Sequence, residues 1–184
     1  MYYSDELYHY GRKGMKWGQH IYGNTSYSHR DAKAVNDIYK TLSLDEKRKL
    51  NGGDAPAKFT TQEEYSKTLA SFILKHKDTP VSAFDVWSEA DDKGNYANEA
   101  AVSVLTRSGD QYRGKGYATD VVSKGMKWLD ENPDITHVYW DVRRDNTASI
   151  ALAKKFGFTE MEGTTNPEWT AYHKTYKNKR KTSK

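Results

Sequence analysis

The apolar positions change period along the chain, and each change marks an element. Over 31–42, Val35, Ile38, Tyr39 and Leu42 recur at helical spacing and share one face. Ser43-Leu44-Asp45-Glu46 carries a capping-box signature, so a second helix starts near residue 44 and Asn51-Gly52-Gly53 ends it. Thr61-Gln62-Glu63-Glu64 reads as the cap of a third helix, with Tyr65, Leu69, Phe72 and Ile73 on one side and Asp78-Thr79-Pro80 closing it. The period then drops to two. Val81–Glu89 alternates as a strand, 91–95 reads as a hairpin turn, and Asn98–Arg107 is a second strand with Ala100, Val102 and Val104 on one face.

Helical spacing returns over Tyr117–Asp130, where Ala118, Val121, Val122, Gly125, Met126 and Leu129 line one side and Asn132-Pro133 stops the run. His137–Arg143 alternates as a strand through Val138, Trp140 and Val142. Asp145 or Asn146 caps a further helix that turns Ile150, Ala153 and Phe156 inward, and Gly157 suits its C′ position. Phe158–Met161 and Trp169–Tyr176 read as the last two strands. Strands alternate with helices in the middle while neighbouring hairpins look antiparallel. The fold class is therefore α/β (α+β), with a mixed, mostly antiparallel central sheet and helices on both faces.

Composition narrows the function classes. The 184 residues suffice for one core, and 14 Tyr and 5 Trp supply it despite a mean hydropathy of −0.97. The absence of cysteine excludes disulfides, thiolate metal sites and an acyl-cysteine intermediate. No apolar run approaches ~18 residues, so no membrane span is expected. The start, MYYSDELYHY, lacks the basic and apolar regions of a secretory signal. A cytoplasmic location is the expectation.

The net charge of +4 is uneven, because residues 174–184 carry six positive charges and no negative one. The basic character belongs to this tail. Its single aromatic and lack of a fold motif favour a solvated end over a nucleic-acid contact. Residues 1–30 form an arm rich in Tyr, Gly and His whose glycines 11, 14, 18 and 23 break any helical period. His9, His20 and His29 lack ligand spacing, so no metal site is expected. The domain then spans 31–173.

The chemistry concentrates at Gln111-Tyr112-Arg113-Gly114-Lys115-Gly116, just before the Tyr117 helix. Glycine permits φ > 0 and close backbone approach, and the helix start offers N–H groups at the positive end of the dipole. Arg113 and Lys115 add charge, so the loop suits a diphosphate. Farther on stand Asn146, Ser149 and the run Ala153-x-x-Phe156-Gly157-Phe158.

QYRGKGYA (111–118) and NTASIALAKKFGF (146–158) together resemble the GNAT superfamily of acyl-CoA-dependent N-acetyltransferases. The resemblance is strongest over 98–160 and implies strands that splay apart at the cofactor site. It assigns the pyrophosphate of acetyl-CoA to the loop Gln111–Ala118, above all to Arg113, Gly114, Lys115 and Gly116, with Tyr117 opening the helix. It places the pantetheine arm along Val104, Leu105 and Thr106, and a further CoA contact at Asn146 and Ser149. Many family members carry a Tyr general acid seven residues after the motif Asn, where this chain has Ala153. Some carry a Glu base on the strand before the loop, for which Glu99 is the nearest carboxylate. Tyr139, Tyr172 and His173 are substitutes by position, each with ordinary packing as its alternative. Arg143, Arg144, Lys154 and Lys155 could pair with a CoA phosphate or stay solvated.

The function implied is direct acetyl transfer from acetyl-CoA to an amine acceptor, either a protein lysine or N-terminus or a small amine. Residues 9–23 resemble a short HxGxKGMKWG sequence of phage-encoded proteins. That implies a phage context, host cytoplasm, and the alternative of a weak or inactive GNAT-fold interaction protein.

Overall fold

Strands covered on both faces lose clean alternation, and such strands form the centre of this protein. The structure, a computed structural model, describes residues 7–9, 29–51, 53–59, 66–89, 98–164 and 166–176. In chain order the elements are β1 (Leu7–His9), α1 (His29–Tyr39), α2 (Leu44–Leu50), β2 (Ser66–His76), β3 (Thr79–Glu89), β4 (Glu99–Thr106), α3 (Tyr117–Glu131), β5 (His137–Arg143), α4 (Thr147–Lys155), β6 (Thr159–Glu160) and β7 (Trp169–Thr175). One sheet of seven strands runs in the order β1-β2-β3-β4-β5-β7-β6. Every neighbouring pair is antiparallel except β4 and β5.

Where a helix was expected after the 61–64 cap, Ser66–His76 is a strand. Ala70, Phe72 and Leu74 of β2 enter the core under α3, while Ile73 enters the core under α1. The run is therefore apolar on both sides, and Leu69, Phe72 and Ile73 fell at helical spacing by coincidence. Lys77 and Asp78, at φ 48° and 61°, make the two-residue left-handed turn that joins β2 to β3. The 10–28 segment with His20, the 61–64 cap, the 91–95 turn and the tail beyond 176 lie outside the described residues.

Helices cover both faces. Val35, Ile38 and Tyr39 of α1 pack on Ile73, Ala83 and Leu105. On the opposite face α3 buries Tyr117, Val121, Val122, Gly125, Met126 and Leu129. Asn132 ends that helix in an extended conformation, as a residue before proline should.

The decisive feature is the β4–β5 seam. Only Glu99↔His137, Ala100↔Val138 and Ala101↔Tyr139 pair across it. Beyond Ala101, β4 stays bonded to β3 as far as Ser82↔Thr106, and β5 stays bonded to β7 as far as Arg143↔Trp169. The sheet thus forks toward the carboxyl ends of its two central strands.

Gly125 sets the seat of α3 on the sheet. A Cβ there would lie 2.1 Å from Cδ1 and 2.3 Å from Cε1 of the Phe84 ring. Phe84 is fully buried and cannot swing clear. Alanine gains ~1 kcal/mol of helix propensity over glycine. Overpacking costs about 1–3 kcal/mol, so the clash dominates. Gly125→Ala is expected to lower the urea midpoint at unchanged slope, and Phe84→Leu in the same chain should recover part of the loss.

Candidate active site

The loop after β4 is shaped by turns rather than by crowding. Arg107 N–H donates to the Val81 carbonyl at 2.8 Å, which carries the ladder one residue past β4. Gly109 turns the chain at φ 116°, and its carbonyl accepts from Tyr112 N–H at 2.9 Å and Arg113 N–H at 3.1 Å. Gly114 and Gly116 follow at φ 66° and 88°. No atom stands within 4 Å of a Cβ built at either position. These glycines meet a backbone requirement, and the space beside them is open. Gly116 is the N-cap of α3 and provides no side-chain cap.

A cleft of about 1120 Å³ opens at the fork. Its walls are the β4 edge from Ala101 to Arg107, the loop from Tyr112 to Gly116, and Tyr117, Ala118 and Thr119 at the start of α3. Across from these stand Trp140, Asp141 and Val142 of β5, and Asn146, Ser149 and Leu152 around α4. Val104, Leu105, Thr106, Arg113, Gly114, Lys115, Gly116, Tyr117, Ala118, Asn146 and Ser149 therefore share one cavity. Gln111 does not line it; its amide lies against Gly109.

Asn146 also does local work. As the N-cap of α4 its Oδ1 accepts from Ser149 N–H at 3.2 Å, while Trp140 Nε1 donates to Ser149 Oγ at 3.1 Å. These bonds hold the α4 start against β5, at the wall facing the loop.

The other candidates sit elsewhere. Glu99 and Tyr139 do not line the cleft; they lie at the closed end of the seam. Burial chiefly, and the Glu99 charge and hydrogen bond next, hold the Tyr139 phenol above its ordinary range. Tyr172 is buried in the core and its hydroxyl donates to Glu160 Oε2 at 3.3 Å. His173 pairs with Tyr139 and also lies off the cleft. Arg143 is paired with Asp145 and Glu168, and Arg144 with Glu160. Lys154 covers the Tyr172 ring, so neither it nor the two arginines lines the cavity. Lys155 is exposed and does not line it either. Ala153 is fully buried, and α4 presents Ser149 and Leu152 to the cleft instead.

Sequence reading missed the second duty of Glu46. The capping box is present: Ser43 N–H donates to Glu46 Oε2 at 2.7 Å, and Glu46 N–H donates to Ser43 Oγ at 3.2 Å. The same carboxylate accepts from Ser108 Oγ at 3.1 Å and forms an ion pair with Arg113. Ser108 N–H in turn donates to Thr41 Oγ1 at 3.0 Å. The α1–α2 corner is thereby stapled to the glycine loop. The capping signature marked Glu46 in the sequence; a partner 67 positions away left no local signal.

A forked parallel pair, a glycine loop carrying Arg113 and Lys115 at a helix start and a cavity joining them fit the arrangement that the resemblance to the acetyltransferases implied. The chain matches the family model of the acetyltransferase (GNAT) domain over residues 46–159, more than half its length, and it belongs to that family. Its fold is similar to the GNAT domain of S. lividans PAT, with a TM-score of 0.62 at 15% identity over 81% of this chain and 87% of that one. A GNAT acetyltransferase of Streptococcus pneumoniae gives 0.60 at 12% identity, over 92% of this chain and 99% of that one. The ribosomal-protein-S18-alanine N-acetyltransferase of Escherichia coli gives 0.50 at 18% identity, over 81% and 88%. At these identities the likeness is one of fold. No curated protein sequence matches the chain. The protein is an acetyltransferase. Among the described residues no helix is long and apolar enough to cross a membrane.

The staple separates two variants. Glu46→Ala removes the reciprocal cap and the loop contacts together, at a cost of about 1 kcal/mol. Amide exchange should accelerate in both α2 and 108–116. Ser43→Ala should accelerate exchange in α2 and leave the loop unchanged.

Proposed function

We propose that this protein transfers an acetyl group directly from acetyl-CoA to an amine, with the diphosphate on Arg113–Gly116 and the first turn of α3. The observation that carries the reading is the fork itself, whose open β4 edge leads from the glycine loop to the last paired residue, Ala101. The residues suit the group. Open space flanks Gly114 and Gly116, Arg113 and Lys115 are cationic, and the helix start has no side-chain cap. Val104, Leu105 and Thr106 would pair with the amide-bearing arm, and Asn146 and Ser149 would close the far wall.

Acetyl-CoA supplies an acyl group activated as a thioester. The chain's part is to hold it, exclude water and orient the acceptor. Backbone N–H groups on the β4 edge beyond Ala101 would stabilise charge on the carbonyl oxygen. An alkylamine has a pKa near ~10.4, so it must lose a proton before attack. A thiol of the cysteine type has a pKa near ~8.5, so proton delivery from solvent serves the leaving group. The missing phenol at Ala153 therefore slows the reaction without forbidding it. The acceptor proposed is a lysine or N-terminal amine of a protein, ahead of a small amine.

Calorimetry with CoA and steady-state thiol release test the assignment. Gly116→Ala should cost ~1–2 kcal/mol of stability, the left-handed penalty of a non-glycine residue. It should weaken CoA binding at least tenfold, and unchanged affinity would remove the diphosphate from this loop.

Ala153→Tyr tests the acid position. Ala153 is enclosed by the core beside Trp140 and Phe158, so a phenol there overpacks at about 1–3 kcal/mol. A lower melting temperature with no gain in thiol release is the expected result.

A further inference from the structure

The loop assigned to the diphosphate already carries an anion. Glu46 of α2 pairs with Arg113 through one carboxylate oxygen, and its other oxygen accepts from Ser108 Oγ, on the same loop, at 3.1 Å. Arg113 commits a terminal guanidinium nitrogen to this contact, and the same nitrogen lies 3.5 Å from Ser108 Oγ. The pair stands on the wall of the cleft, which Glu46, Arg113 and Gly114 all line. A second anion brought to Arg113 therefore arrives beside a carboxylate, and the two repel.

The two ends of α2 are held differently. None of its residues is buried. Its C-terminal end is tied to the α1 layer: Leu50 packs on that core, Lys47 lies over the Tyr39 ring at 5.0 Å, and Asn51 Nδ2 donates to the Tyr39 hydroxyl at 3.0 Å. Its N-terminal end has the reciprocal cap with Ser43 and, through the Glu46 carboxylate, the contacts to the loop. The loop has its own anchor ahead of the helix, where Ser108 N–H donates to Thr41 Oγ1, so it can keep its place when Glu46 moves. An ion pair between partly exposed side chains contributes little to stability. Arginine with a phosphate forms a charge-assisted and often bidentate pair. The exchange of carboxylate for diphosphate is thus favourable at this guanidinium.

We propose that Glu46 is a resident competitor for Arg113, and that a diphosphate entering the loop displaces it and frees the first turn of α2. Occupancy of the loop is then read out in a helix that lines the same cleft through Asp45, Glu46, Lys49 and Leu50. The coupling is reciprocal: whatever holds Glu46 on Arg113 weakens the diphosphate by the same factor. The proposal rests on the diphosphate reading of the loop and adds to it a link from the loop to α2.

CoA and inorganic pyrophosphate are the probes, with affinity measured by calorimetry and amide exchange followed by NMR. In the wild type, saturating CoA should slow exchange over 108–116 and accelerate it several-fold in the first turn of α2. Glu46→Gln keeps an oxygen for the Ser43 and Ser108 bonds and removes the charge. It should bind CoA and pyrophosphate about three- to tenfold more tightly, and its α2 amides should not respond to either. Ser43→Ala loosens α2 without touching the ion pair, so its CoA affinity should stay within about twofold of the wild type. Unchanged or weaker CoA binding in Glu46→Gln, α2 amides protected by CoA in the wild type, or equal tightening in Ser43→Ala would each overturn the inference. Gly116→Ala separates it from the reading beneath it. If that variant weakens CoA and Glu46→Gln fails to tighten it, the competitor role alone falls; if that variant leaves CoA affinity unchanged, the diphosphate is not on this loop and both fall.

Discussion

Three residue pairs make up the ladder between the two central strands of this sheet, and the shape of the site follows from their number. A parallel pair cannot be closed by a tight turn, so a crossover must separate β4 from β5. That crossover is the glycine loop and α3. Because the seam stops at Ala101 and Tyr139, the loop, the start of α3 and the cap of α4 all gather around one opening. A longer seam would satisfy the backbone of β4 and fill the cleft. The remaining strands gain from being antiparallel: β3 and β7 pair along the full outer sides of the fork and keep each bank straight.

Glu46 ties the helical corner to that opening. It caps α2, reaches Ser108 and pairs with Arg113, so one carboxylate serves the start of a helix and the shape of a ligand loop. The pair is partly exposed, and its direct contribution to stability is small. Its importance is positional, since the cation proposed to meet a diphosphate is already held at the mouth of the cleft.

Much of the fold was legible where local chemistry was strong. The capping box at Ser43, the stop at Asn132-Pro133 and the alternation of Val138, Trp140 and Val142 all led to the elements found. β2 was misread because burial on both faces erased its period, and neither propensity nor spacing reveals which layers will cover a strand. The loop and Asn146 could be placed from their motifs, and the structure brings them to one cavity. The chemical groups at the fork could not. Whether Glu99 or Ser103 faces the opening depends on where a parallel seam ends, a property of two strands about forty residues apart. The Glu46–Arg113 pair was hidden for the same reason. Ala153 shows the converse: its place on α4 was clear, but its burial depended on the sheet beneath it.

The fork also has a mechanical meaning. With so short a seam, the two half-sheets share ladder bonds at one end only, and beyond it the core under α3 joins them, where Phe84 packs against Trp140. A molecule lying along the β4 edge, as proposed, would do the work of an absent strand, pairing with β4 beyond the point where its ladder to β5 ends. Ligand occupancy then becomes part of the folding equilibrium. At a hundred times its dissociation constant, such a ligand adds about 2.7 kcal/mol to stability. That is a substantial share of the ~5–15 kcal/mol typical of a domain. The abundance of the folded chain is in this way coupled to the supply of the small molecule that completes its sheet.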